Sequence, residues 1–61
     1  MSWLVYVDSI PTWVCASMEQ AAELAAPYAE DQRTLAIEQR TSSVSQTWLY
    51  DRPTQRWVVE E

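Results

Sequence analysis

Residues 3 to 7 read Trp-Leu-Val-Tyr-Val, a β-branched and aromatic run of the composition that strands favour. The run stops at Asp8-Ser9-Ile10-Pro11, where proline and short polar side chains favour a turn. A second strand, Thr12 to Ala16, is expected to return antiparallel. With Val7 opposite Thr12, Val5 faces Val14 and Trp3 faces Ala16 on one side, while Tyr6 faces Trp13 and Leu4 faces Cys15 on the other. A slip of one residue would reverse this assignment.

Ser17 followed by Gln20 has the spacing of a capping box, so a helix is expected to begin at Met18. Ala21, Leu24, Ala25 and Tyr28 then fall at i, i+3, i+4 and i+7, an apolar stripe on one helix face. Pro27 removes the bond to the Glu23 carbonyl and disfavours helical geometry at Ala26, which predicts a kink or a weak final turn. From Arg33 to Arg40 the period changes to two, with Leu35 and Ile37 on one side and Ala36 and Glu38 on the other, as in a half-buried strand. Thr41-Ser42-Ser43-Val44-Ser45 reads as a loop.

The last segment is a hairpin. Gln46 to Asp51 and Arg56 to Glu60 flank Arg52-Pro53-Thr54-Gln55, with proline well placed in the turn. Pairing Tyr50 with Trp57 and Trp48 with Val59 gathers those four on one face, expected to be buried. Leu49 and Val58 then lie on the other face beside Thr47, Asp51, Arg56 and Glu60. The Ala-rich helix stripe fits against large rings, since small side chains allow a close approach. The expected fold is α+β: an antiparallel sheet of four or five short strands with one helix on one face, in the order ββαββ(β).

Composition narrows the function. A chain of 61 residues allows a single domain, 1–61, because one this short buries only ~60% of the surface it exposes unfolded. Four tryptophans and three tyrosines make the core dense enough, each ring contributing ~150–250 Å². With no histidine, the commonest acid–base residue and the commonest metal ligand are both missing. With no glycine, P-loops, dinucleotide fingerprints and glycine-lined nucleophile elbows are excluded. Cys15 is the single cysteine; apolar strand neighbours mark it as packing, and no internal disulfide can form. Glu60 and Glu61 alternate on a strand, so they point to opposite faces and make a poor carboxylate pair for glycoside hydrolysis. The expectation is a protein that is not an enzyme and holds no cofactor or metal.

The formal net charge of −5 opposes direct binding to phosphate backbones or anionic membranes and favours a partner with a basic surface. No apolar run approaches the ~20 residues needed to span a bilayer, and the start lacks a basic leader segment, so a cytoplasmic location is expected. Two surfaces suit a partner. One helix covers only one sheet face, leaving Leu4, Tyr6, Trp13, Leu49 and Val58 on the other, bordered by Asp8, Glu38, Arg40, Asp51 and Arg56. An apolar centre inside a charged rim of this kind either suits a protein partner or a homodimer, or reflects only the packing of Tyr6 with Trp13 at a sheet edge. The second surface is acidic. Glu19 and Glu23 lie about 6 Å apart along the exposed side of the helix, and Glu30 and Asp31 continue the charge beyond Pro27. These carboxylates either form an ordinary solvated face or present phosphate-like charge to a basic site.

The strand Trp3-Leu4-Val5-Tyr6-Val7, the helix start Ser17-Met18-Glu19-Gln20-Ala21-Ala22 and the hairpin Trp48-Leu49-Tyr50 to Arg56-Trp57-Val58 resemble small phage-encoded anti-CRISPR proteins, among them inhibitors of type I effectors. The likeness covers most of the chain in element order and is concentrated, residue by residue, in the terminal hairpin. It implies an inhibitor that acts in a bacterial host's cytoplasm and occupies a nucleic-acid-binding surface of an effector. This chain departs from that pattern in being acidic and lacking lysine, so a role in which the inhibitor itself grips DNA does not carry over. Mimicry of DNA at a basic site does, with Glu19, Glu23, Glu30, Asp31, Asp8, Glu38 and Asp51 as acidic candidates and Tyr6, Trp13, Leu49 and Val58 as apolar ones.

Overall fold

The computed structural model describes residues 2–31 and 33–60; Glu61, half of the terminal carboxylate pair, lies outside them. The elements are β1 (Ser2–Val7), β2 (Ile10–Cys15), α1 (Met18–Ala29), β3 (Leu35–Arg40), β4 (Ser45–Asp51) and β5 (Arg56–Val59). All five strands form one antiparallel sheet in the order β2-β1-β3-β4-β5, the expected α+β arrangement. β2 and β3 both run antiparallel to the β1 strand between them, so α1 is the crossover that joins two parallel strands over one face.

The helix begins where the sequence places it. Ser17 is its N-cap, with its Oγ accepting the Gln20 N–H at 3.1 Å. Gln20 Oε1 reaches one residue further back than a standard capping box and accepts the Ala16 N–H at 2.9 Å. The helix runs through Pro27 to Ala29 and closes with the Asp31 N–H on the Tyr28 carbonyl at 3.2 Å. Proline is tolerated because it stands in the last turn and on the exposed side.

Ala21 and Ala25 are fully buried against β1 and β3, where Val5 and Ile37 are also fully buried. Val7, Cys15 and Leu35 complete the buried core. The tryptophans form its rim instead of its centre. Trp3 stacks on Trp48 at 5.4 Å, Trp13 on Tyr28 at 5.5 Å and Tyr50 on Trp57 at 5.2 Å, and all six rings stay half-buried. The expectation of a buried aromatic face is corrected to this extent. α1 packs on β1, β2 and β3, so beyond its reach Trp48 is sheltered by Trp3 of β1, and Tyr50 and Trp57 shelter each other at the edge of the core.

The β4–β5 register follows the sequence reading, with Trp48 opposite Val59 and Tyr50 opposite Trp57. The β1–β2 register does not. Asp8 and Ser9 both adopt positive φ, 53° and 68°, and make a two-residue turn that pairs Val7 with Ile10. Continued unbroken, that register would set Trp13 opposite Leu4, away from the helix. Between Trp13 and Pro11 there is one extra residue, Thr12, and this bulge restores the opposite parity. Trp13 therefore stands opposite Val5 and Cys15 opposite Trp3, both on the helix side, while Val14 is turned outward.

One long side chain ties the hairpin to the helix. Arg52 donates to the carbonyl of Ala29 at the end of α1 and to that of Arg33 beyond it, with its guanidinium 5.9 Å from the Tyr50 ring centre. It thereby satisfies a helix-end carbonyl and sets positive charge at the negative end of the helix dipole. Arg52→Ala is expected to lower stability by about 1–2 kcal/mol, with Arg52→Lys recovering only part because it lacks the planar fork. Urea unfolding measures both; equal stability of Arg52→Ala and the parent would remove Arg52 from the account.

Candidate functional site

The uncovered sheet face carries Leu4, Tyr6 and Val14 from the β1–β2 ribbon, Ala36 and Glu38 from β3, and Leu49 and Val58 from the terminal hairpin. Trp13 is removed from this group by the bulge and joins the core rim; Val14, 73% exposed, takes the outward position. Sequence reasoning missed Val14 because nothing in residues 10 to 14 marks Thr12 as unpaired. Ala36 is small and sits between Tyr6 and Leu49, which leaves a shallow groove of about 350 Å³ bordered by Thr47, Glu38 and Glu60.

Glu38 organises one side of that groove. Its Oε1 accepts the Tyr6 hydroxyl at 3.1 Å and Arg40 Nε at 2.7 Å, and its Oε2 accepts the Ser45 hydroxyl at 3.1 Å. Tyr6, Glu38 and Ser45 come from three adjacent strands, and the β1–β3–β4 order brings them together. Partial burial pushes the Glu38 carboxyl pKa up, but the hydrogen bonds from Arg40, Tyr6 and Ser45 together with the Arg40 charge outweigh it and hold the pKa below the ordinary carboxylate value. The same carboxylate raises the pKa of Arg40.

The seven acidic candidates divide by environment. Asp8 accepts the Thr34 N–H at 3.0 Å and lies 3.6 Å from Arg33, which is also 3.8 Å from Asp31. Asp51 accepts the Thr54 hydroxyl in the hairpin turn. With Glu38 paired to Arg40, four of the candidates are thus engaged within the chain. Glu19, Glu23 and Glu30 are exposed on α1 and its C-cap and have no side-chain partner among the described residues. They face away from the sheet, so the acidic helix surface and the open sheet face are on opposite sides of the molecule and are separate sites.

Cys15 is buried, and burial raises its thiol pKa, the opposite of what activates a nucleophile. Among the described residues no group of three His, Cys, Asp or Glu side chains is placed to hold a metal ion, and no helix is long and apolar enough to cross a membrane.

These elements define the class as a small α+β domain, one helix on a five-stranded antiparallel sheet. Compared with protein-family models, curated proteins and solved structures, the chain gives no match.

The Glu38 network has a pH signature. A carboxylate whose folded pKa lies below its unfolded value of ~4.3 contributes stability above that value and loses it as pH falls through the folded pKa. Urea unfolding followed from about pH 6 to about pH 3 should therefore show a smaller acid-induced loss for Glu38→Gln than for the parent. Superimposable pH profiles would contradict this assignment.

Proposed function

We propose that this chain is a non-enzymatic, phage-encoded inhibitor of the anti-CRISPR kind, which binds a basic nucleic-acid-binding surface of a type I CRISPR effector in the host cytoplasm and blocks target DNA by acidic mimicry. The supporting observation is how the charges are distributed. Arg33, Arg40 and Arg52 are engaged with carboxylates or carbonyls of the chain itself, whereas Glu19, Glu23 and Glu30 are left outward and unpartnered among the described residues. A net charge of −5 is therefore expressed most strongly along the outer helix surface, where it is suited to a row of cationic side chains. The resemblance of the terminal hairpin to anti-CRISPR proteins supplies the effector as the partner class.

A second reading rests on the other side of the molecule. The open face, with Val14, Leu49 and Val58 exposed around the Ala36 groove, suits a structural or self-associating interaction module.

Binding of target DNA by a purified type I effector, with and without the chain, tests the first reading. Near-stoichiometric inhibition is expected, weakening as salt rises because screening shortens the reach of the charges to ~8 Å at physiological ionic strength. The variant Glu19→Gln/Glu23→Gln/Glu30→Gln should weaken inhibition by roughly tenfold or more, equivalent to about 1.4 kcal/mol or above. Unchanged DNA binding in a molar excess of the chain would overturn the reading. Inhibition that survives the triple variant but is lost in Leu49→Glu would move the interface to the sheet.

A further inference from the structure

The two outer edges of the sheet differ. β2 carries Pro11, which has no N–H to offer, and the Thr12 bulge, both of which blunt an edge against further pairing. β5 has neither device. It pairs with β4 in unbroken register, and its Val58 and Val59 are 51% and 44% exposed. α1 packs on β1, β2 and β3, which leaves the outer side of β5 uncovered by the helix.

The direction of the free backbone groups follows from one bond. The Glu60 N–H donates to the Thr47 carbonyl at 2.8 Å, and continuing the β4–β5 register sets these two residues opposite each other. Antiparallel neighbours exchange hydrogen bonds at every second pair. Glu60, Val58 and Arg56 therefore turn their backbone groups toward β4, while Trp57 and Val59 turn theirs outward.

We propose that β5 pairs antiparallel with β5 of a second copy, centred on Val58, so that two sheets join into one. In that register Trp57 stands opposite Val59 of the second copy, and Val59 opposite its Trp57. The outward N–H and carbonyl groups of these residues then form four hydrogen bonds, and each pair is of the favourable aromatic with β-branched type. Val58 meets its own counterpart on the two-fold axis. Arg56 falls opposite Glu60 of the second copy, at both ends by symmetry.

The charges select this register. Sliding by two residues, so that Trp57 meets Trp57 or Val59 meets Val59, keeps the backbone bonds in phase but places Arg56 or Glu60 against Val58. In the single chain neither the Arg56 guanidinium nor the Glu60 carboxylate has an ion pair or side-chain hydrogen bond among the described residues, so both are open to the pairing. A contact of one strand pair lies well below the ~1,200 Å² of stable interfaces, so the dimer is weak, with a dissociation constant on the order of 100 μM. The inference is independent of the inhibitor reading, since it leaves the outer surface of α1 uncovered in both copies.

Sedimentation equilibrium at physiological salt, over concentrations up to about 1 mM, tests the proposal. The parent should dimerise reversibly. Val59→Pro removes one outward N–H without touching the bonds to β4, and should leave a folded monomer. Arg56→Glu and Glu60→Arg each set like charges opposite one another and should weaken self-association by roughly tenfold. Mixed together, these two variants restore Arg–Glu pairing at both ends and should form a mixed dimer, which keeps the test decisive should Val59→Pro fail to fold. A parent that stays monomeric throughout, a dimer that persists in folded Val59→Pro, or a mixture that associates no better than its components would overturn the proposal.

Discussion

The contact on which this molecule depends is the seating of Ala21 and Ala25 on Val5 and Ile37. All four are fully removed from solvent, and the two alanines let the helix axis approach the sheet closely enough for the β-branched side chains to fill the space beneath. Its reach is limited. A 12-residue helix is ~18 Å long and ~10 Å across, enough for two or three strands at ~4.8 Å spacing but not for five. What α1 leaves uncovered sets the rest of the design. Tyr50 and Trp57 shelter each other at the rim while Trp48 leans on Trp3, the far face of the sheet stays open, and Arg52 fastens the hairpin to the end of the helix.

The lack of glycine places a second demand on the chain. Asp8, Ser9 and Gln55 occupy positive φ at 53°, 68° and 56°, a region that side chains with a Cβ enter at a cost of about 1–2 kcal/mol each. Hydrogen bonds offset it locally. Asp8 donates its N–H to the Thr34 carbonyl at 2.8 Å and accepts the Thr34 N–H on its carboxylate, so that the first turn is bonded to the segment entering β3. Gln55 N–H returns to the Arg52 carbonyl at 3.2 Å and closes the hairpin turn. Both turns lie beside arginines that make intramolecular contacts, Arg33 with Asp8 at the first and Arg52 with the Ala29 and Arg33 carbonyls at the second.

Much of this was legible from local chemistry. Ser17 with Gln20 marks the helix start, the alternation of Leu35 to Glu38 marks a strand, and the hairpin register follows from Pro53 and the flanking rings. Three features were not legible, each because its cause lies away from the residues concerned. Without glycine, nothing distinguishes the two-residue turn at Asp8-Ser9 from a longer one, and no residue type announces a bulge at Thr12, so alternation alone puts Trp13 on the wrong face. The Glu38 network needs β1, β3 and β4 side by side, an order that alternation within one strand does not specify. Arg52 reads as a turn residue, yet its partners are more than fifteen positions away in the chain.

The claim that α1 on β1 and β3 holds the molecule together, with the aromatic hairpin as a sheltering rim, makes a direct statement about local stability. Native-state hydrogen exchange, resolved by residue, measures it. The amides of Val5 and Ile37 are expected to exchange only through global unfolding, whereas those of β4 and β5 that are bonded only to each other are expected to exchange by a lower-energy opening of the hairpin. Protection of the Val58 and Glu60 amides, which are bonded to β4, as high as that of Val5 and Ile37 would contradict it.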